Sequence, residues 1–181
     1  TNRWTEYGPN LFRLQDRRPI AGWTLHTAVA VDHSRLVYDT LRARGSRESL
    51  RVALESPEDE ALGGFVGLQA AWAGGSVDGI VPDWSSREWG AFVQLHGRFA
   101  GQLGWGLGLQ HQRVTNGASG TTPQASLVWT PGGPWRVKLM RGESFRDADA
   151  RERFSDAPFQ RGHPGLRPEQ GRMDALEVAW D

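Results

Sequence analysis

Residues 89–112 read WGAFVQLHGRFAGQLGWGLGLQHQ, and their spacing decides the fold. One set of alternate positions is Trp89, Ala91, Val93, Leu95, Gly97 and Phe99; the other is Gly90, Phe92, Gln94, His96 and Arg98. After Gly101 the pattern resumes, with Leu103, Trp105, Leu107 and Leu109 opposing Gly104, Gly106, Gly108, Gln110 and Gln112. A period of two sustained this long marks strands with one apolar and one polar face.

Outward from this stretch the same split recurs. Trp23, Leu25, Val29 and Val31 oppose Thr24, His26 and Asp32. Leu50, Val52 and Leu54 oppose Ser49, Arg51 and Glu55, and Val66, Leu68, Ala70 and Trp72 share a face. Ala125, Leu127 and Trp129 are followed by Trp135, Val137 and Leu139, and then by Leu176, Val178 and Trp180. Eight strands are expected near 22–38, 47–55, 64–73, 88–100, 102–114, 123–130, 134–145 and 172–181, with a weaker ninth near 4–14. Many approach the 9–11 residues that a tilted strand needs to cross a bilayer. Gly101 and Pro131–Pro134 predict tight turns at one end, whereas 73–87, 115–122 and 146–171 predict longer polar loops at the other. Phe99, Trp105, Trp129 and Trp135 flank the tight turns on the apolar side, as an interfacial aromatic girdle does. The expected fold is all-β: an antiparallel transmembrane barrel segment of about eight or nine strands.

Composition narrows the function. The 181 residues hold no Cys, 23 Gly and 9 Trp, and 21 basic residues balance 21 acidic ones. Zero net charge argues against a nucleic-acid partner. Without Cys there is neither a disulfide framework nor a zinc–thiolate site. The five His (His26, His33, His96, His111, His163) show no metal-ligand spacing, and Glu58-Asp59-Glu60 after Pro57 reads as a solvated turn. No nucleophile elbow or phosphate-binding loop occurs, so neither catalytic residues nor a cofactor are expected.

The C-terminal half carries longer motifs. Residues 129–145 read WTPGGPWRVKLMRGESF, followed by RDADARERF (146–154), GHPGLRPEQ (162–170) and MDALEVAW (173–180). This resembles the barrel of TonB-dependent outer-membrane receptors, which commonly read KLLYGEAFRAPNAYELY, then GNPDLKPE, then SYELGL. Lys138-Leu139, Gly142-Glu143 and Phe145-Arg146 match the first element, with Glu152 and Phe154 at its Glu and aromatic. Gly162, Pro164, Leu166, Arg167, Pro168 and Glu169 match the second, and Leu176–Ala179 the third. Upstream, EWGAFVQ (88–94) is similar to the family's WALFVQDEW strand, and GLGLQH (106–111) to its AGLRYDH strand. Asp147, Ala148, His163 and Gly165 depart from the pattern.

The resemblance implies a 22-stranded barrel that encloses an N-terminal plug. It further implies import of a scarce ligand, most often a ferric siderophore or similar metal chelate, with energy from TonB acting through the plug. The location implied is the bacterial outer membrane, with its lipid as neighbour. Residues 1–181 show neither plug nor TonB box and are expected to be part of such a barrel rather than a whole one. The alternatives are a small complete outer-membrane barrel with a structural or adhesive role, and a soluble β-barrel binding module. By parity Gln94, His96, Arg98, Gln110, Gln112, Arg136 and Lys138 face the lumen, where plug contact is the expected role, and ligand is expected at 73–87 and 146–171. Pro164 and Pro168 predict extended or turn backbone at 162–169. Asp147/Arg151 and Asp149/Arg153 are spaced for i,i+4 pairs in a short helical turn, and Glu169 suits a neighbouring Arg or a backbone donor.

Overall fold

The alternation becomes nine long strands in the computed structural model, which describes residues 4–38, 41–57, 62–115, 117–157 and 160–180. They are β1 (Trp4–Ile20), β2 (Trp23–Tyr38), β3 (Leu41–Glu55), β4 (Leu62–Val77), β5 (Val81–Phe99), β6 (Leu103–Val114), β7 (Ser119–Trp129) and β8 (Trp135–Arg146). A one-turn helix α1 (Ala150–Phe154) and a small hairpin, β9 (Asp156–Ala157) and β10 (Gln160–Arg161), precede β11 (Glu169–Trp180). Each strand pairs with its chain neighbour, in the order β1-β2-β3-β4-β5-β6-β7-β8-β11, and every pairing is antiparallel. The sheet is open, with β1 and β11 at its edges.

Two turns show why the chain reverses where it does. Ala21 and Gly22 have φ of 50° and 86°, and Ala100 and Gly101 have 50° and 69°. Positive φ at both central residues is the type I′ geometry, whose twist matches the flanking strands. Each turn sets an Ala in the left-handed region, where a β-carbon crowds the following carbonyl.

The expected polar loops at 73–87 and 115–122 are corrected. β4 runs to Val77 and β5 begins at Val81, leaving only a tight turn; β6 runs to Val114 and β7 begins at Ser119, with the Val114 N–H donating to the Ala118 carbonyl at 3.0 Å. Hydrophobic alternation marks a strand only where one face is apolar. Beyond that zone both faces are polar, and the sequence reads as loop although the ladder continues. Gly75 fits this extension closely, because a β-carbon there would lie 2.4 Å from the Arg44 carbonyl oxygen. Of the three expected loops, the one after β8 persists, over 147–168. Glu58-Asp59-Glu60 lies outside the described residues.

Register keeps apolar residues on one face across the sheet. Leu50, Ala70 and Trp89 lie in one row, and Val93 sits between Val66 and Leu109. Leu127, Leu139 and Leu176 continue the face to β11. Leu68 is 65% exposed, Leu107 54% and Leu176 67%, so this apolar face is a surface and not a core. Within each strand it occupies only part of the length. In β4 it spans Leu62–Trp72 and in β5 Trp89–Phe99, although β5 has 19 residues. Aromatic rings mark both ends of the band. Phe99 stacks on Trp105 at 6.1 Å and Trp135 meets Trp180 edge-on at 4.4 Å near the tight turns, while Trp72 and Trp89 stand at the far margin.

Candidate functional site

The opposite face is polar, and its long side chains have room because small ones stand beside them. Gln94, His96 and Arg98 lie opposite Gly108, Gly106 and Gly104. Gln110 and Gln112 continue this face along β6; Lys138 is opposite Glu177 and Arg136 opposite Ala179. Thus the seven expected polar positions share one face, spread over three strands. They form no compact cluster.

Beside them lies a network that no local sequence pattern marks. Glu88 accepts hydrogen bonds from Gln112 Nε2 at 2.7 Å and from the Arg47 guanidinium at 3.3 Å. Arg47 reaches from β3 across β4, where Ala71 and Ala73 leave the path clear. Four residues along β3 from Arg47, the Arg51 guanidinium lies over Phe92 at 4.5 Å and Phe65 at 5.5 Å, a cation–π stack. His26 Nε2 meets Glu55 at 2.6 Å and packs edge-on against Phe65. All these residues have the right parity, but only register brings them together. No group of three or more potential metal ligands occurs among the described residues.

A second polar centre lies at the loop end. Arg146 ends β8 and its register partner Glu169 begins β11. Arg146 Nε donates to Glu169 at 3.0 Å, and its two terminal nitrogens donate to both Glu152 oxygens at 2.8 and 3.3 Å. The bidentate fork holds the helix against the strand ends. Glu152 also closes a reciprocal cap: the Asp149 N–H donates to Glu152 at 2.8 Å, and the Glu152 N–H donates to Asp149 Oδ1 at 2.8 Å. This is the capping box, written as Asp-x-x-Glu in the sequence and visible there in principle. It replaces the expected Asp149/Arg153 pair, because Asp149 serves as cap and Arg153 turns to Asp147. The side chain of Arg151 lies outside the described residues. The Arg146 fork and the capping N–H of Asp149 hold the Glu152 carboxyl below the ordinary glutamate range.

The remaining motif positions serve the backbone of the same loop. The His163 N–H donates to the Glu152 carbonyl at 2.9 Å, and Gly162 N–H to the Ser155 carbonyl at 2.6 Å. A β-carbon at Gly162 would lie 2.6 Å from the Arg153 carbonyl and the Phe154 nitrogen, so only glycine fits this crossing. Pro164 and Gly165 are the central residues of a turn closed by Leu166 N–H to the His163 carbonyl at 3.1 Å. Phe145 covers Gly120, where a β-carbon would meet its ring at 2.4 Å. Pro168 precedes β11 directly. The loop is tied to the β4–β5 turn by Asp156 N–H to the Ile80 carbonyl at 2.7 Å.

Comparison with known proteins agrees with this architecture. The siderophore receptor PirA from Pseudomonas aeruginosa superposes with a TM-score of 0.80 at 14% identity, over 96% of this chain and 36% of that one. The chain therefore spans about a third of that receptor's length, and at such identity the likeness concerns the fold. No curated protein matches the chain. The family described as TonB dependent receptor-like, beta-barrel, matches residues 58–172, more than half of the sequence. With its open antiparallel sheet, its two faces and its clasped loop, the chain belongs to the TonB-dependent receptor β-barrel family.

Proposed function

We propose that the chain is part of an outer-membrane receptor that takes up a scarce ligand, a ferric siderophore or similar metal chelate, with energy from TonB. Family membership carries the reading, together with the likeness to the barrel of a protein described as a siderophore receptor. The two faces supply its physical basis. The eleven-residue apolar stretch of β5 fits a tilted bilayer crossing, so the apolar face meets lipid. The face bearing Gln94, His96, Arg98, Gln110, Gln112, Arg136 and Lys138 then lines the lumen and meets the plug of the whole receptor. The clasped 147–168 loop stands at the end where ligand arrives. Residues 1–181 supply one sector of the barrel wall, and an open sheet with free edges suits a sector better than a small closed barrel. The role is transport, without catalysis.

The test is uptake by intact cells. Deleting the gene should abolish accumulation of a radioiron-labelled chelate that wild-type cells take up under iron limitation, and deleting tonB should have the same effect. Unchanged uptake across a panel of iron chelates, haem and cobalamin in the deletion strain would falsify the transport reading.

A further inference from the structure

Arg87 and Arg113 stand at the far margin of the apolar band. Arg44 is paired with Asp83, Arg141 with Asp174 and Arg146 with two glutamates. Arg87 and Arg113 have neither an ion pair nor a side-chain hydrogen bond among the described residues, and both are exposed. Their placement is specific. Arg87 on β5 lies directly opposite Trp72 on β4, and Arg113 on β6 directly opposite Trp89 on β5. Arg87 is two residues from Trp89, so the two arginines are diagonal neighbours on one face, about 7–8 Å apart. Trp72 is 45% exposed and Trp89 46%, so the rings lie open beside them. An apolar groove of about 440 Å³ begins one position inward, lined by Leu68, Ala91, Val93, Leu109 and His111 among others.

We propose that Arg87 and Arg113, flanked by Trp72 and Trp89, hold the phosphate-bearing headgroup of an anionic acyl lipid whose chain lies in the groove below. Two guanidinium groups without an ion-pair partner among the described residues supply the positive charge that such a headgroup pairs with, and Glu48, across Trp72 in the same row, is bonded to neither. Indole rings favour the headgroup depth of a bilayer. The groove continues from the cations into the apolar face, so an amphiphile satisfies both parts and a free anion only one. The inference rests on the reading that this face meets lipid.

The test uses the full receptor, purified in detergent and stripped of lipid, with retained lipid counted by native mass spectrometry. The probes are phosphatidylglycerol, phosphatidylcholine and inorganic phosphate. Wild type should retain phosphatidylglycerol over phosphatidylcholine, and the preference should disappear at high salt. In the double variant Arg87→Gln/Arg113→Gln the preference should fall roughly thirtyfold. Arg87→Lys/Arg113→Lys should keep most of it. Equal retention of the two lipids by wild type, or an unchanged preference in the Gln variant, overturns the proposal. Displacement of lipid by millimolar inorganic phosphate also overturns it, in favour of a soluble anion. Should the Gln variant not fold, the wild-type preference and its salt dependence decide. Heat-modifiable migration of the wild type separates the two readings: without it the membrane reading fails, whereas with it and without selectivity only this inference fails.

Discussion

Glu152 serves two groups at once, the Arg146 fork and the Asp149 N–H, and both favour its charged form. Its folded pKa is lowered, so its contribution is complete above the ordinary glutamate range and is lost as pH falls through the lowered value. Amide protection across 147–168, taken relative to the intrinsic exchange rate at each pH, should therefore be high at neutral pH and fall as the pH drops below the ordinary glutamate range, while β5 and β6 stay protected. Glu152→Gln should show the lowered loop protection already at neutral pH. Gly162→Ala forces a methyl group against the Arg153–Phe154 backbone and should cost about 1–3 kcal/mol, read as protease cleavage within the loop. The motif residues Arg146, Glu152, Gly162 and Glu169 were legible as a set. Their shared task was not, because it depends on a hairpin that brings residue 169 beside residue 146.

At the scale of the strand, parity alone separates two kinds of substitution. Leu107 lies on the apolar face between Leu95 and Ala125, and Gln110 on the polar one. In the full receptor reconstituted into vesicles, Leu107→Arg should lower unfolding stability by about 2–4 kcal/mol, while Gln110→Arg should change it far less. Equal losses in urea titration would refute the assignment of the faces. The strands near 102–114 and 134–145 were readable almost to their ends, since apolar alternation covers much of each. In β3 the apolar alternation follows Arg42, Arg44 and Arg47, so the pattern marks the strand from 47 and not from Leu41. In β1 the alternation stops at Leu14, since Gln15–Arg18 carries no apolar residue.

For the whole molecule the decisive feature is the pair of open edges on β1 and β11. In lipid each unpaired backbone group costs several kcal/mol, so an open sheet cannot face hydrocarbon along its rim. Residues 1–181 expressed alone should fail to insert as a heat-modifiable, protease-resistant monomer, whereas the full receptor should do so. Recovery of such a monomer from bilayers would mean that the edges close on each other.

Sequence by itself determined the class of fold, the two faces and the family motifs, because period-two alternation and local turn chemistry are written in neighbouring residues. Tertiary structure alone decided what crosses between strands: the Arg47–Glu88–Gln112 chain, the Arg51 stack, the Arg146 clasp and the Arg87/Arg113 pair beside Trp72 and Trp89. It also decided where strands end once both faces turn polar. The physical reason is register. A ladder continues on backbone hydrogen bonds, whatever the side chains are, and it joins residues tens of positions apart that no local pattern connects.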